Sequence, residues 1–565
     1  MLDLVIKGGT VVDGTGADPV RANVGILDGR IVFIDSEGGE PIDARRTIDA
    51  DGLVVAPGFV DIHTHYDAQL FWDPACTPSS LHGITTVFCG NCGFSIAPLG
   101  DDPTYIMRML SKVEGIPLEV LETGVRWNWK SFGDYLDLVQ AAGTAVNVGV
   151  SVGHSALRRF VLGENSHQRG VAAADVAAMR EVLAEGLAAG AAGFSSSWGT
   201  HHLDGEGNPV PSRFADMGEL VTLSETLGDF PGAQLEFIPT NERFEKMHCE
   251  VMTNMALAGK ATLNWNVLVP HNSDWVENRM SASDHAAARG ATVVGLTYPD
   301  VMSTRMSFMA TGFHATAGLD TIPGWAPIMR LGRAEKCSAF RDPAVRALLR
   351  KGADTPEGRA RRFGSMMVAE TYSPDNAAYE GRRIEEIAVA AGRDPIDTLL
   401  DIVAADELRT LLSSDPRAAD TEAWATRVAT WKDPRVIIGA SDGGAHIDVL
   451  ATYDYPVRFL ARQRELGVLP LAEAVRKLTD VPAGLYGATD RGRLTPGYWA
   501  DVVIFDAATV GPGPLEWRED LPSGAGRLYS EPEGIRHVMV RGTDIVAGGS
   551  VTGETPGQLL RMHKS

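Results

Sequence analysis

Cysteine is scarce in this chain: Cys76, Cys89, Cys92, Cys249 and Cys337 are five among 565 residues. A small, odd number argues against a disulfide framework and suits a reducing cytoplasm, the expected compartment. Long apolar runs are also missing. No stretch approaches the roughly 18 residues needed to span a bilayer, so no transmembrane helix is expected. The opening Met1-Leu-Asp-Leu-Val-Ile-Lys7 lacks the basic-then-apolar order of a signal peptide. Positive charge is in deficit, with 51 Lys and Arg against 73 Asp and Glu and a formal charge of -22. Such a surface repels polyanions, so neither nucleic acid nor an anionic membrane is expected as a partner. A small-molecule substrate is expected, with homo-oligomerisation left open. There is no low-complexity tract and no solenoid period.

What is present is ordinary for a soluble globular protein, with 44% hydrophobic and 22% charged residues. The length exceeds one small core. Residues 1–57 alternate apolar and polar positions between Gly and Asp turns, as in Leu4-Val-Ile-Lys7 and Val24-Gly-Ile-Leu27. Residues 487–565 repeat that style in Ala500-Asp-Val-Val-Ile-Phe-Asp506 and Ile535-Arg-His-Val-Met-Val540. Neither set buries a sheet alone, so both ends are expected to pair into one small β-sandwich.

Between them, over 58–486, short β-branched runs alternate with alanine-rich helical stretches. Eight candidate strands appear: 59–65, 85–91, 146–154, 191–198, 233–239, 261–268, 291–299 and 435–443. Eight strand-then-helix units predict an α/β fold, a (β/α)8 TIM-like barrel. The surplus over a plain barrel falls near 99–145 and 300–434, read as insertions over the site.

Reactive groups of such a barrel gather at the C-terminal ends of its strands. The first strand ends in Pro57-Gly-Phe-Val-Asp-Ile-His63-Thr-His65-Tyr-Asp67. Positions i and i+2 share a strand face, so His63 and His65 project into one site, as ligands of a divalent metal would. One strand later Cys92 stands in the Gly-flanked turn Gly90-Asn-Cys92-Gly93. A thiolate there is a strong zinc ligand and can also be a nucleophile. The last strand ends in Ser441-Asp442-Gly443, placing a carboxylate where it can hold metal, accept a proton from water, or both.

These residues resemble the amidohydrolase superfamily and, within it, the D-aminoacylase (N-acyl-D-amino-acid deacylase) branch. The resemblance spans nearly the whole chain. Ile6-Lys-Gly-Gly-Thr-Val-Val-Asp-Gly-Thr-Gly16 is similar to the opening strands, and Ala56-Pro-Gly-Phe-Val-Asp-Ile-His-Thr-His65 to the metal motif. Gly83-Ile-Thr-Thr-Val-Phe-Cys-Gly-Asn-Cys-Gly93 and Gly153-His-Ser-Ala-Leu-Arg158 are similar to segments of that branch. Asp490-Arg-Gly-Arg-Leu-Thr-Pro-Gly-Tyr-Trp-Ala500 looks like the return into the sandwich. The resemblance implies a metal-dependent barrel hydrolysing amide bonds, with one or two ions, most readily zinc. It implies a cysteine in place of the bridging carboxylated lysine, and carries ligand roles onto His63, His65, Cys92 and Asp442.

The chain departs from that pattern where it expects histidines on the fifth and sixth strands. Here the fifth reads Gln234-Leu-Glu236-Phe-Ile and the sixth Leu263-Asn264-Trp-Asn266. Glu236 is a candidate replacement ligand, and His154, His201, His202, His271 and His446 are further histidines near strand ends. Arg158 and Arg305 are candidates for holding a substrate carboxylate. The main expectation is therefore a metal-dependent amidohydrolase of a small N-acylated molecule, with Asp442 moving the proton. Two alternatives stay open: a carbon–carbon hydrolase or lyase of the same fold, and a non-catalytic metabolite-binding relative.

Overall fold

A computed structural model of the chain describes residues 1–36, 43–309, 319, 322–413 and 421–562. The N-terminal alternating segments are β1 (Leu2–Val11), β2 (Val20–Leu27), β3 (Arg30–Ser36), β4 (Ala44–Asp49) and β5 (Val54–Pro57). Next come β6 (Phe59–Asp61), β7 (Ile84–Cys89), β8 (Asn147–Val150), β9 (Val152–Gly153), β10 (Gly193–Ser197), β11 (Gln234–Ile238), β12 (Leu263–Trp265) and β13 (Val293–Thr297). β14 (Arg305–Ser307), β15 (Met367–Glu370) and β16 (Leu411–Ser413) lie within the long excursion that precedes β17 (Val436–Ile438). The chain finishes with β18 (Val502–Phe505), β19 (Gly511–Arg518), β20 (Arg527–Glu533), β21 (Ile535–Val540), β22 (Thr543–Ala547) and β23 (Ser550–Val551).

Both chain ends enter one nine-stranded sheet, ordered β23-β22-β21-β18-β5-β1-β2-β3 with β4 also on β1. The period-2 pattern of β18 explains its central place. Val502 and Ile504 pack with Leu4, Ile6 and Val24 in a small core. Val503 and Phe505 point the other way, into the large core, where Phe505 meets Phe59 at a ring separation of 6.4 Å. One short strand thus joins the terminal sheet to the rest of the molecule.

All eight candidate strands form, and all pair in parallel. β6-β7-β8 make one ladder and β9-β10-β11-β12-β13-β17 another. β8 and β9 are one strand interrupted at Ser151, whose N–H donates to the Cys89 carbonyl at 2.9 Å. At the other end an isolated parallel bridge joins Thr64, beyond β6, to Gly443, beyond β17. The fold is therefore mixed α/β, with helices such as Ala173–Ala189 and Lys246–Gly259 between consecutive parallel strands.

The described part of the 300–434 excursion has its own core, in which Trp325 stacks on Phe363 at 4.8 Å beside Phe340 and Leu399. Its three-stranded sheet runs β14-β16-β15. Residues 310–318, 320–321 and 414–420 of that insertion lie outside the described residues. Two features of the C-terminal region were not anticipated. β19 and β20 form a hairpin separate from the nine-stranded sheet. The last turn of chain then returns to the parallel strands, where Val148 donates to the Gln558 carbonyl at 2.9 Å and accepts from Leu560 at 2.7 Å. Among the described residues no helix is long and apolar enough to cross a membrane.

Candidate metal centre

β6 ends at Asp61, so His63 and His65 lie just past the strand. The backbone stays extended because Thr64 N donates to the Phe88 carbonyl at 3.0 Å and His65 N to the Gly443 carbonyl at 2.7 Å. The i, i+2 rule therefore still holds, and the two rings meet edge-on at 5.4 Å. Buried Asp61 anchors the segment, accepting from His63 N at 3.2 Å and from Ser441 Oγ at 2.5 Å.

Cys92 reaches the same place through a turn that needs its glycines. Gly90 adopts φ +75°, and a Cβ there would lie 2.1 Å from the Ser151 carbonyl oxygen. Cys92 itself is left-handed at φ 58°. Its Sγ lies 3.3 Å from His63 Nε2 and 3.8 Å from His65 Nε2. The three donor atoms all fall within 4.8 Å of one another. Asp442 joins them from beyond β17, with Oδ1 3.1 Å from His63 Nε2 and 3.9 Å from His65 Nε2. Its φ of 49°, with Ala440 and His446 also left-handed, is the strained backbone that clusters at functional sites. Bonds of about 2.0–2.3 Å at tetrahedral angles separate neighbouring donors by about 3.3–3.8 Å, so the 3.3 and 3.8 Å separations from Cys92 Sγ to the two histidines suit adjacent ligands of one zinc-sized ion, with Asp442 beside them.

The other sequence candidates divide. Glu236, on β11, lies behind Cys92: its Oε2 accepts the Cys92 N–H at 2.7 Å and its buried Oε1 has no partner. On the sixth strand Asn266 Nδ2 sits 2.9 Å from His63 Nε2, whereas Asn264 bonds the Leu235 carbonyl. His201, His202, His271 and His446 line a cavity of about 310 Å³ with His65, Cys92 and Asp442. His154 is elsewhere, bonded to Ser196 Oγ at 2.8 Å and Glu219 Oε1 at 2.9 Å. Arg158, fully buried, is spent on Glu219 and on backbone carbonyls, and Arg305 is held in a bidentate pair by Glu370. Sequence reasoning missed Glu114, which lies in the 99–145 excursion with no motif around it. Its Oε1 is 3.3 Å from His65 Nδ1.

Burial dominates the electrostatics. It pushes the Cys92 thiol well above its ordinary value, with Glu236, Glu114 and Asp442 adding to the effect. It raises Glu236 to about 7, opposed by His63 and the Cys92 N–H. For Asp442 burial acts in the same sense, but the hydrogen bond and charge of His63 outweigh it and hold the carboxyl at about 2. Asp442 is thus an ionised carboxylate, and its side chain, 16% exposed beside a fully buried His63, faces the cavity. Buried thiol, imidazoles and acids of this kind carry unmet electrostatic demand that a cation would satisfy.

Parallel strands whose ends gather His63, His65, Cys92 and Asp442 beside one cavity define an α/β protein with a candidate metal site. The Amidohydrolase family model matches residues 46–543, and the chain belongs to that family. It is 27% identical to a D-aminoacylase of Alcaligenes xylosoxydans xylosoxydans over 567 residues, covering 99% of this chain and 97% of the relative. It is 29% identical to an N-acyl-D-aspartate deacylase of the same organism over 562 residues, covering 99% and 95%. Among solved structures it is similar to the N-acyl-D-glutamate deacylase of Bordetella bronchiseptica, complexed with zinc and a phosphonate mimic of the tetrahedral intermediate. That match has 25% identity, a TM-score of 0.65 and 99% coverage of both chains.

Proposed function

We propose that this protein is a divalent-metal-dependent hydrolase that cleaves the amide bond of a small N-acyl-D-amino acid. The observation that carries the reading is the convergence of His63, His65 and Cys92, whose donor atoms all lie within 4.8 Å of one another, with Asp442 Oδ1 3.1 Å from His63 Nε2. Relatives named for D-aminoacylase and N-acyl-D-aspartate deacylase activity support the substrate class. The parallel strands, with the Thr64–Gly443 bridge at their outer edges, are read as a closed (β/α)8 barrel spanning 58–486. Residues 1–57 and 487–565 form the β-domain in this reading.

When bound, the ion supplies Lewis acidity, polarising the amide carbonyl and acidifying water. The chain's own groups do the rest. His63, His65 and Cys92 fix the donor set. Glu236 steadies the Cys92 turn through its N–H, and serves as a reserve ligand on its unpartnered Oε1. Asp442 accepts the proton of the attacking water and returns it to the leaving amine nitrogen, so the acyl group leaves as carboxylic acid and the amino acid as amine, and the acid then passes its own proton on to become carboxylate beside an ammonium. With Glu236 and Asn266 in place of histidines on the fifth and sixth strands, one ion per chain is the expected content. The test is a panel of N-acyl-D- and N-acyl-L-amino acids assayed with protein purified without chelator, with and without added zinc. Metal-stimulated release of free D-amino acid supports the proposal. Absence of amide hydrolysis across the panel, or full activity in chelator-stripped protein, refutes it.

A further inference from the structure

His65 Nδ1 is buried and has no well-formed hydrogen bond, yet Glu114 Oε1 stands 3.3 Å from it. The ring's opposite nitrogen, Nε2, faces Cys92 Sγ and Asp442 Oδ1. An imidazole that gives Nε2 to a cation keeps its proton on Nδ1, and that buried proton needs an acceptor. Glu114 is the carboxylate within reach: its side chain is 3% exposed and His65's is 4% exposed. Its placement is also built in. Glu114 caps the helix Thr104–Val113, its N–H donating to the Leu110 carbonyl. Its own carbonyl accepts the N–H of His446 at 2.5 Å, so it is held between the excursion after β7 and the segment after β17.

We propose that Glu114 is a positioning residue for the metal, fixing the tautomer and orientation of His65 from a segment outside the strand ends. The inference rests on the metal-site reading above. Its readout is metal affinity and ligand field, not turnover. Glu114→Ala and Glu114→Gln proteins would be compared with the unaltered protein by competition of Co2+ against a chromophoric chelator. The visible bands of bound Co2+ report ligand geometry.

Loss of such an outer carboxylate typically weakens metal binding about 10–100-fold. Glu114→Ala is expected in that range, with altered Co2+ bands. Glu114→Gln, which keeps the shape and an acceptor oxygen but not the charge, is expected to weaken binding less, and Glu114→Asp to recover part of it. Should Glu114→Ala not fold, the isosteric Glu114→Gln protein decides alone. Unchanged Co2+ affinity and spectrum in folded Glu114→Gln would overturn the role while leaving the metal site standing. Failure of the unaltered protein to bind Co2+ would remove both.

Discussion

Changing Glu219 to glutamine probes the buried polar cluster that supports the strand ends from behind. Glu219 lies in the first turn of the helix Met217–Glu225, where its N–H is capped by Asp216, and its carboxylate accepts from His154 Nε2 and from Arg158. The side chains of His154 and Arg158 are fully buried and that of Glu219 is 5% exposed. Burial, the largest influence, raises the Glu219 pKa. The hydrogen bonds and charges of His154 and Arg158 outweigh it and hold the group at about 2, against 4.5 ordinarily. A depression of that size corresponds to on the order of 3 kcal/mol of stability. Because the folded value is the lower one, this stability is complete above about pH 4.5 and decays as the pH falls toward 2. Glu219→Gln removes it and strands the Arg158 guanidinium, whose remaining partners are the carbonyls of Ser166 and Gln168. Breaking a buried pair in this way costs about 3–5 kcal/mol. Urea midpoints of the two proteins, followed from neutral pH downward, supply the assay. The variant should be clearly less stable at neutral pH, and the gap should close as the unaltered protein loses its advantage below about pH 4.5. Equal midpoints at neutral pH, or a gap that stays constant through the acid range, would refute the reasoning.

Other expectations are more direct. Asp442→Asn keeps the shape but loses the base, so turnover should fall at least about a hundredfold with little change in substrate affinity; near-native turnover in metal-loaded variant would dismiss Asp442 as the proton carrier. Removing residues 500–565 deletes β18, which contributes Val503 and Phe505 to the large core and Val502 and Ile504 to the small one, so the product should be insoluble; a cooperatively melting truncation would contradict this. Gly90→Ala would drive a Cβ to 2.1 Å from the Ser151 carbonyl at a left-handed φ, and should displace Cys92 enough to weaken metal binding measurably by chelator competition.

The legible parts of this protein are those written in local pattern. The His63–His65 pair announced itself because a two-residue spacing on an extended segment has one geometric meaning, and the eight parallel strands because β-branched runs alternate with alanine-rich helices. Cys92 was found through its glycines, which the structure shows to be required by close backbone approach. Glu114 was illegible because nothing near it in sequence says that a helix end 49 residues beyond His65 folds back onto that ring. The same holds for the fate of Arg158 and His154. A basic residue near a strand end reads alike whether it meets a substrate or a buried Glu219 65 residues away. The return of residues 558–560 to β8 is a long-range backbone pairing with no composition signal at all.

The most direct test of the account is the metal content of protein purified without chelator, measured by elemental analysis alongside His63→Ala, Cys92→Ser and Asp442→Asn proteins. One divalent ion per chain, largely lost in His63→Ala and Cys92→Ser and tied to hydrolysis of an N-acyl-D-amino acid, is the predicted result. Folded protein free of stoichiometric metal, with no activity gained on adding any divalent ion, would contradict it.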